Sequence, residues 1–136
     1  MELEPKLNDE GRALLDGFLR SEECAAASCG PARWLVSFLA WLATCEVELD
    51  DLVPSDLNAA ICDGMGWTIE AAPEDPAAVA RELHAFLRWA ARAAGVTSSP
   101  AYEACCAYLA SPRAARDIGE WLTPIELCWG GDPLPA

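Results

Sequence analysis

The chain has 136 residues, 53% of them hydrophobic, and a formal net charge of −13 from 22 acidic and 9 basic side chains. This length and apolar content suit one packed domain (residues 1–136) and exclude a disordered chain. The acidic excess disfavours contact between the surface as a whole and a phosphate backbone.

Asn8 is placed to cap a first helix whose opening turn carries Asp9 and Glu10, with Leu14, Leu15, Phe18 and Leu19 as its apolar stripe. Ser21 can restart a short helix that ends at Gly30-Pro31. From about Ala32, the residues Trp34, Leu35, Phe38, Leu39, Trp41, Leu42 and Cys45 cover most of a helix circumference. A helix apolar nearly all round is expected at the centre of the core, with Trp34 and Trp41 inside it.

Ser55 reads as the next cap, for a helix running to about Asp63 and ended by Gly64 and Gly66. Trp67-Thr68-Ile69 has β character but is too short for a sheet. The clearest element spans residues 74–94 and closes on Gly95. Val79, Leu83, Phe86, Leu87, Ala90 and Ala94 share one face of it; Arg81, His84, Arg88 and Arg92 lie opposite, with Trp89 at the edge. Ser99-Pro100 and Ser111-Pro112 each announce a further helix, the first carrying Tyr102, Cys106 and Leu109 inward, the second Ile118, Trp121 and Leu122. Residues 123–126 read as a capping box for one last turn. The expected fold class is all-α: a bundle of about five to six helices with no substantial sheet and loose residues at both termini.

Residues 1–6 are acidic and lack the apolar stretch of an export signal, and the longest strongly apolar run, residues 34–45, is too short to cross a bilayer. A cytoplasmic protein without a membrane segment is the expectation. The seven cysteines are an odd number without paired metal-ligand spacing, so they read as reduced thiols, with Cys45 and Cys106 on core faces. His84 is the only histidine and is flanked by arginines, which leaves a hydrolytic triad without a carboxylate partner for its base. No phosphate-binding loop or nucleophile elbow is present. The chain reads as non-enzymatic, with no catalytic residue, metal or cofactor.

The charge distribution carries more information. No lysine or arginine stands between Arg33 and Arg81, while that interval holds Glu46, Glu48, Asp50, Asp51, Asp56, Asp63, Glu70, Glu74 and Asp75. Arg81, Arg88 and Arg92 recur at spacings of seven and four, on one helix face. They are expected mainly to offset this acidic interval by proximity.

Residues 38–42 (Phe-Leu-Ala-Trp-Leu), 49–57 (Leu-Asp-Asp-Leu-Val-Pro-Ser-Asp-Leu) and 81–89 (Arg-Glu-Leu-His-Ala-Phe-Leu-Arg-Trp), followed by Ser-Pro-Ala at 99–101, carry a resemblance. In this order, residues 32–101 resemble the helical core-binding domain that precedes the catalytic domain of tyrosine recombinases. The resemblance implies a small helical-bundle topology. The acidity of the stretch and the end of the sequence at Ala136 depart from the family pattern, so recombination is not implied. Arg81, Arg88 and Arg92 are the residues that could keep a phosphate-facing role.

The expected function is protein–protein interaction through an acidic or aromatic-rich face, with another protein as partner. The alternative is a nucleic-acid-related protein, either a recombinase-like remnant or an acidic DNA mimic. Candidate contact residues are Trp67 and Trp129, because tryptophan is enriched at binding hot spots and these two lie outside the predicted helices, together with Arg81, Arg88, Arg92, Glu46, Glu48, Asp50 and Asp51.

Overall fold

Asn8 opens the first helix as its side chain predicts: its Oδ1 accepts the Gly11 N–H at 2.7 Å. The structure is a computed structural model and describes residues 7–27, 33–65 and 75–122. Trp67, Trp129, the extended connector at 67–69, the stop at Gly30-Pro31 and the capping box at 123–126 lie outside the described residues.

The described residues form seven α-helices and no strand: α1 (Asp9–Leu19), α2 (Glu22–Ala27), α3 (Arg33–Thr44), α4 (Pro54–Ala59), α5 (Pro76–Ala93), α6 (Pro100–Leu109) and α7 (Pro112–Trp121). A 3₁₀ turn covers Leu49–Asp51, and α4 continues into a π-type turn over Ala60–Met65. The fold is all-α.

The closure at Gly95 and the cap at Ser99 follow the sequence reading, while other boundaries follow local chemistry that differs from it. Pro54 takes the first position of α4 because its fixed φ suits a helix start, so the cap is Val53 rather than Ser55. The Asp56 carboxylate accepts the Val53 N–H at 3.4 Å. Gly64 does not end the segment but lies within the π-type turn. Asp75 caps α5 by accepting the Ala77 N–H at 3.1 Å, and Gly95 follows its C-cap with φ +75°, a conformation that glycine adopts without a Cβ penalty. Ser99 caps α6 through the Tyr102 N–H, whereas the Ser111 hydroxyl turns back to donate to the Tyr108 carbonyl at 2.6 Å and leaves α7 without a side-chain cap.

The centre of the core is α5, not α3. It packs against α1, α2, α3, α6 and α7, and Val79, Leu83, Phe86, Leu87 and Ala90 are fully buried along it. Trp89, read as an edge residue, is 8% exposed and belongs to the core. It closes an aromatic cluster in which Phe18 and Phe86 meet edge-to-face at 5.6 Å and Trp89 lies 6.0 and 5.9 Å from the two rings. Ala94 is exposed, one residue past the end of α5. On α3, Leu35, Phe38, Leu39 and Leu42 are buried, but Trp34 and Trp41 are only partly buried and Cys45 is exposed. Their register carries them to the margins of the packed face, where a large ring keeps one edge wet. Leu19 is likewise 40% exposed at the end of α1.

Gly17 shows how packing overrules propensity. A mid-helix glycine normally costs about 1 kcal/mol relative to alanine, but a Cβ at Gly17 would sit 2.8 Å from Cζ2 of Trp89. The indole is buried against Phe18 and Phe86 and has little room to retreat. Gly17→Ala is therefore expected to lower stability by about 1–3 kcal/mol despite the propensity gain. A raised urea midpoint for this variant would show that the ring moves freely.

Candidate functional site: an acidic-rimmed apolar cleft

The arginine stripe is on the exposed face of α5 as its spacing predicts, but two of its three partners lie outside the acidic interval. Arg81 reaches Asp75 at 3.5 Å, within the interval. Arg88 holds both carboxylate oxygens of Glu103 on α6, each at 3.0 Å. Arg92 forms a fork with Glu23 on α2, with Nε–Oε2 at 2.5 Å and Nη2–Oε1 at 2.8 Å. Among the described residues only Arg81 pairs within the interval 46–75, which corrects the expectation for the other two; Arg88 and Arg92 strap α5 to its neighbours. The geometry has a physical cause: α2 and α6 pack against α5 and bring carboxylates directly beside the stripe.

The arginine contacts also shift their partners. Hydrogen bonding from Arg92 holds Glu23 below the usual carboxylate range. Glu103 is lowered first by the Ser98 hydroxyl, which donates to it, and then by Arg88. Arg113 and Arg116 both approach Asp117, at 3.5 and 4.0 Å.

The acidic candidates divide by position. Asp50 is tied down, accepting the Thr97 N–H at 2.6 Å, and Asp51 is exposed beside it in the 3₁₀ turn. Glu46 and Glu48 are exposed and form no ion pair among the described residues. Together with Glu10 of α1 they rim a cleft of about 290 Å³ between the start of α1 and the end of α3. Leu14, Leu39, Leu42, Val47 and Leu49 supply most of its apolar lining, beside an equal share of polar surface. Asn8 also borders the cleft, but its Oδ1 is committed to capping α1.

Glu46 sits in an unusual place on this rim. The Val47 N–H bonds the Leu42 carbonyl at 2.9 Å and the Glu46 N–H bonds the Ala43 carbonyl at 3.2 Å, the pattern of a Schellman helix end. Glu46 occupies the left-handed position of that motif with φ 57°, and it is the one non-glycine residue with positive φ among the described residues. Glycine is the usual occupant, and a carboxylate beside the negative end of a helix dipole is electrostatically unfavourable. Glu46→Gly is expected to raise stability by about 0.5–1 kcal/mol, read as a higher urea midpoint at unchanged slope.

A second cleft, of about 260 Å³, lies between α5 and the α6–α7 corner, with an alanine-rich lining and Arg81 and His84 at its edge. His84 is half-buried, and burial together with the Arg88 charge pushes it below its ordinary pKa. It makes no hydrogen bond to a carboxylate among the described residues, so nothing orients it as a base. Cys105 and Cys106 are buried, and burial raises both thiols, Cys105 to about 11, which keeps them protonated and unreactive. Among the described residues no group of three or more histidine, cysteine, aspartate or glutamate side chains could hold a metal ion. No helix among them is long and apolar enough to cross a membrane.

Glu82 is a buried carboxylate that the charge pattern alone does not reveal. It is 4% exposed, and its Oε2 accepts the Leu35 N–H at 2.7 Å, with the Trp34 N–H also bonded to the carboxylate. It thus caps the N-terminus of α3 from α5, and its burial raises the carboxyl to about 7. A signal was available: Glu82 lies three residues after Val79 and four before Phe86, in register with the buried face.

No family model, curated protein or solved structure matches the chain, so its site is read from its own geometry.

Proposed function

We propose that the protein is a non-catalytic interaction module that docks another protein through its acidic face. The observation that carries this reading is the contrast between its two charged surfaces. Arg81, Arg88 and Arg92 each have a carboxylate within ion-pairing distance, and using Arg88 and Arg92 on a phosphate backbone would mean breaking contacts between helices. Glu10, Glu46 and Glu48, by contrast, stand exposed beside the cleft and form no ion pair among the described residues. An acidic mimic of DNA would need the charge but not the apolar lining.

The reading is tested by amide chemical-shift mapping of the protein against a lysine–leucine peptide and, separately, against a mixed-sequence DNA duplex. Saturable shifts with the peptide that weaken as salt rises, and none with the duplex, support it. Binding of the duplex that is lost when Arg81, Arg88 and Arg92 are replaced by glutamine would overturn it and assign the recombinase-like role to the arginine face.

A further inference from the structure

We infer that the cleft between α1 and the end of α3 receives a short peptide segment carrying one leucine- or isoleucine-sized side chain flanked on both sides by lysine or arginine. This rests on the interaction-module reading and narrows it to one place and one chemistry.

Volume comes first. At about 290 Å³ the cleft lies at the bottom of the range of small-molecule sites. It suits an anchoring side chain and adjoining backbone better than a cofactor. Its chemistry points the same way. A metabolite site fixes its ligand with converging buried polar groups; here the apolar lining is mostly leucine and valine, and Asn8 already spends its acceptor on α1. Besides the Asn8 amide NH2 group, the polar side chains that remain, Glu10, Glu46 and Glu48, are exposed carboxylates on the rim, so specificity for charge acts around the anchor and not upon it.

Charge complementarity selects the sign of the occupant. The absence of lysine and arginine between Arg33 and Arg81 leaves this stretch no cation of its own to cover the rim. Of the cations nearest the α1 side of the cleft, Arg12 forms no ion pair with Glu10, Glu46 or Glu48 and Lys6 lies outside the described residues; residues 123–136 contain Glu126 and Asp132 and no lysine or arginine. Glu46 adds an argument from local cost. A glycine there would relieve the left-handed backbone, and any uncharged residue would relieve the helix end, yet a carboxylate is present on the cleft edge. A basic partner gives that carboxylate a use that helix stability does not.

The probe is a fluorescein-labelled, end-blocked peptide with a central leucine and two basic residues on each side, followed by fluorescence anisotropy at low ionic strength. Its serine-for-leucine counterpart keeps the charge and removes the anchor. The leucine peptide should bind with an affinity that falls steeply with salt, and the serine peptide should bind at least about tenfold more weakly. Glu46→Gly and Ala43→Lys should each weaken binding severalfold or more, the first while raising stability, so that unfolding cannot explain the loss. The double variant Glu22→Gln/Glu120→Gln removes two acidic groups that do not line the cleft and should bind as the parent does.

Equal binding of the serine and leucine peptides would overturn the anchor. Binding insensitive to Glu46→Gly and Ala43→Lys but weakened by the distant double variant would overturn the cleft and leave the module reading standing on another face. If neither peptide binds, both readings fall.

Discussion

Glu82→Ala is expected to destabilise the protein by about 2–4 kcal/mol, because it strips the start of α3 of its acceptor and leaves buried N–H groups unpaired. The Leu35 N–H, bonded at 2.7 Å, and that of Trp34 lose their partner inside a packed interface where water does not readily replace it. The same residue gives stability a pH dependence of definite sign. Its carboxyl titrates at about 7 in the folded protein against 4.5 in the unfolded chain, so between those values the folded state holds the extra proton. Stability contributed by Glu82 is full below about pH 4.5 and is lost as pH rises through about 7, with an upper limit of about 3 kcal/mol.

Glu23 and Glu103 act in the opposite sense. Both are lowered, so what they contribute is present above their unfolded pKa and is lost only under more acidic conditions. His84, lowered by burial, also opposes Glu82 and does so within this pH range, equally in both proteins. The difference in urea midpoint between the parent and Glu82→Gln, which keeps an acceptor oxygen but cannot ionise, should therefore move against the parent as pH rises from 5 to 8. Parallel pH profiles for the two proteins would place the titrating group elsewhere.

Phe86→Ala should cost about 3–5 kcal/mol, a large part of the stability of a domain this size. Phe86 is fully buried at the contact of α5 with α1, edge-on to Phe18 and 5.9 Å from Trp89, so truncation opens a cavity among rigid rings that cannot collapse into it. Trp41→Ala, for which the apolar circumference of α3 predicts a loss of the same size, should cost clearly less, since part of that indole already faces water. The measurement is the pair of denaturation midpoints; equal shifts would return the centre of the core to α3.

The sequence by itself determined the helical class and most helix starts. Asn8 and Ser99 accept backbone N–H groups three residues on, and Gly95 relieves a left-handed turn just past a helix end. These are interactions over a few residues, settled before any helix meets another. The exposed face of α5 was legible for the same reason, since a period of 3.6 residues places Arg81, Arg88 and Arg92 together whatever surrounds them. The exposure of Glu46, Glu48, Asp50 and Asp51 also followed from their type. The tethering of Asp50 alone among them did not, because the Asp50–Thr97 bond joins residues 47 positions apart.

Tertiary structure alone decided which helix lies at the centre, which carboxylates the arginines meet, and why Gly17 is glycine. Each depends on a distant surface: the Trp89 ring over Gly17, Glu23 and Glu103 beside α5, and the start of α3 above Glu82. Apolar periodicity reports that a face is covered without saying by what. The candidate cleft belongs to the same class, because its apolar lining joins Leu14 to Leu39, Leu42, Val47 and Leu49 only once α1 has packed across α3.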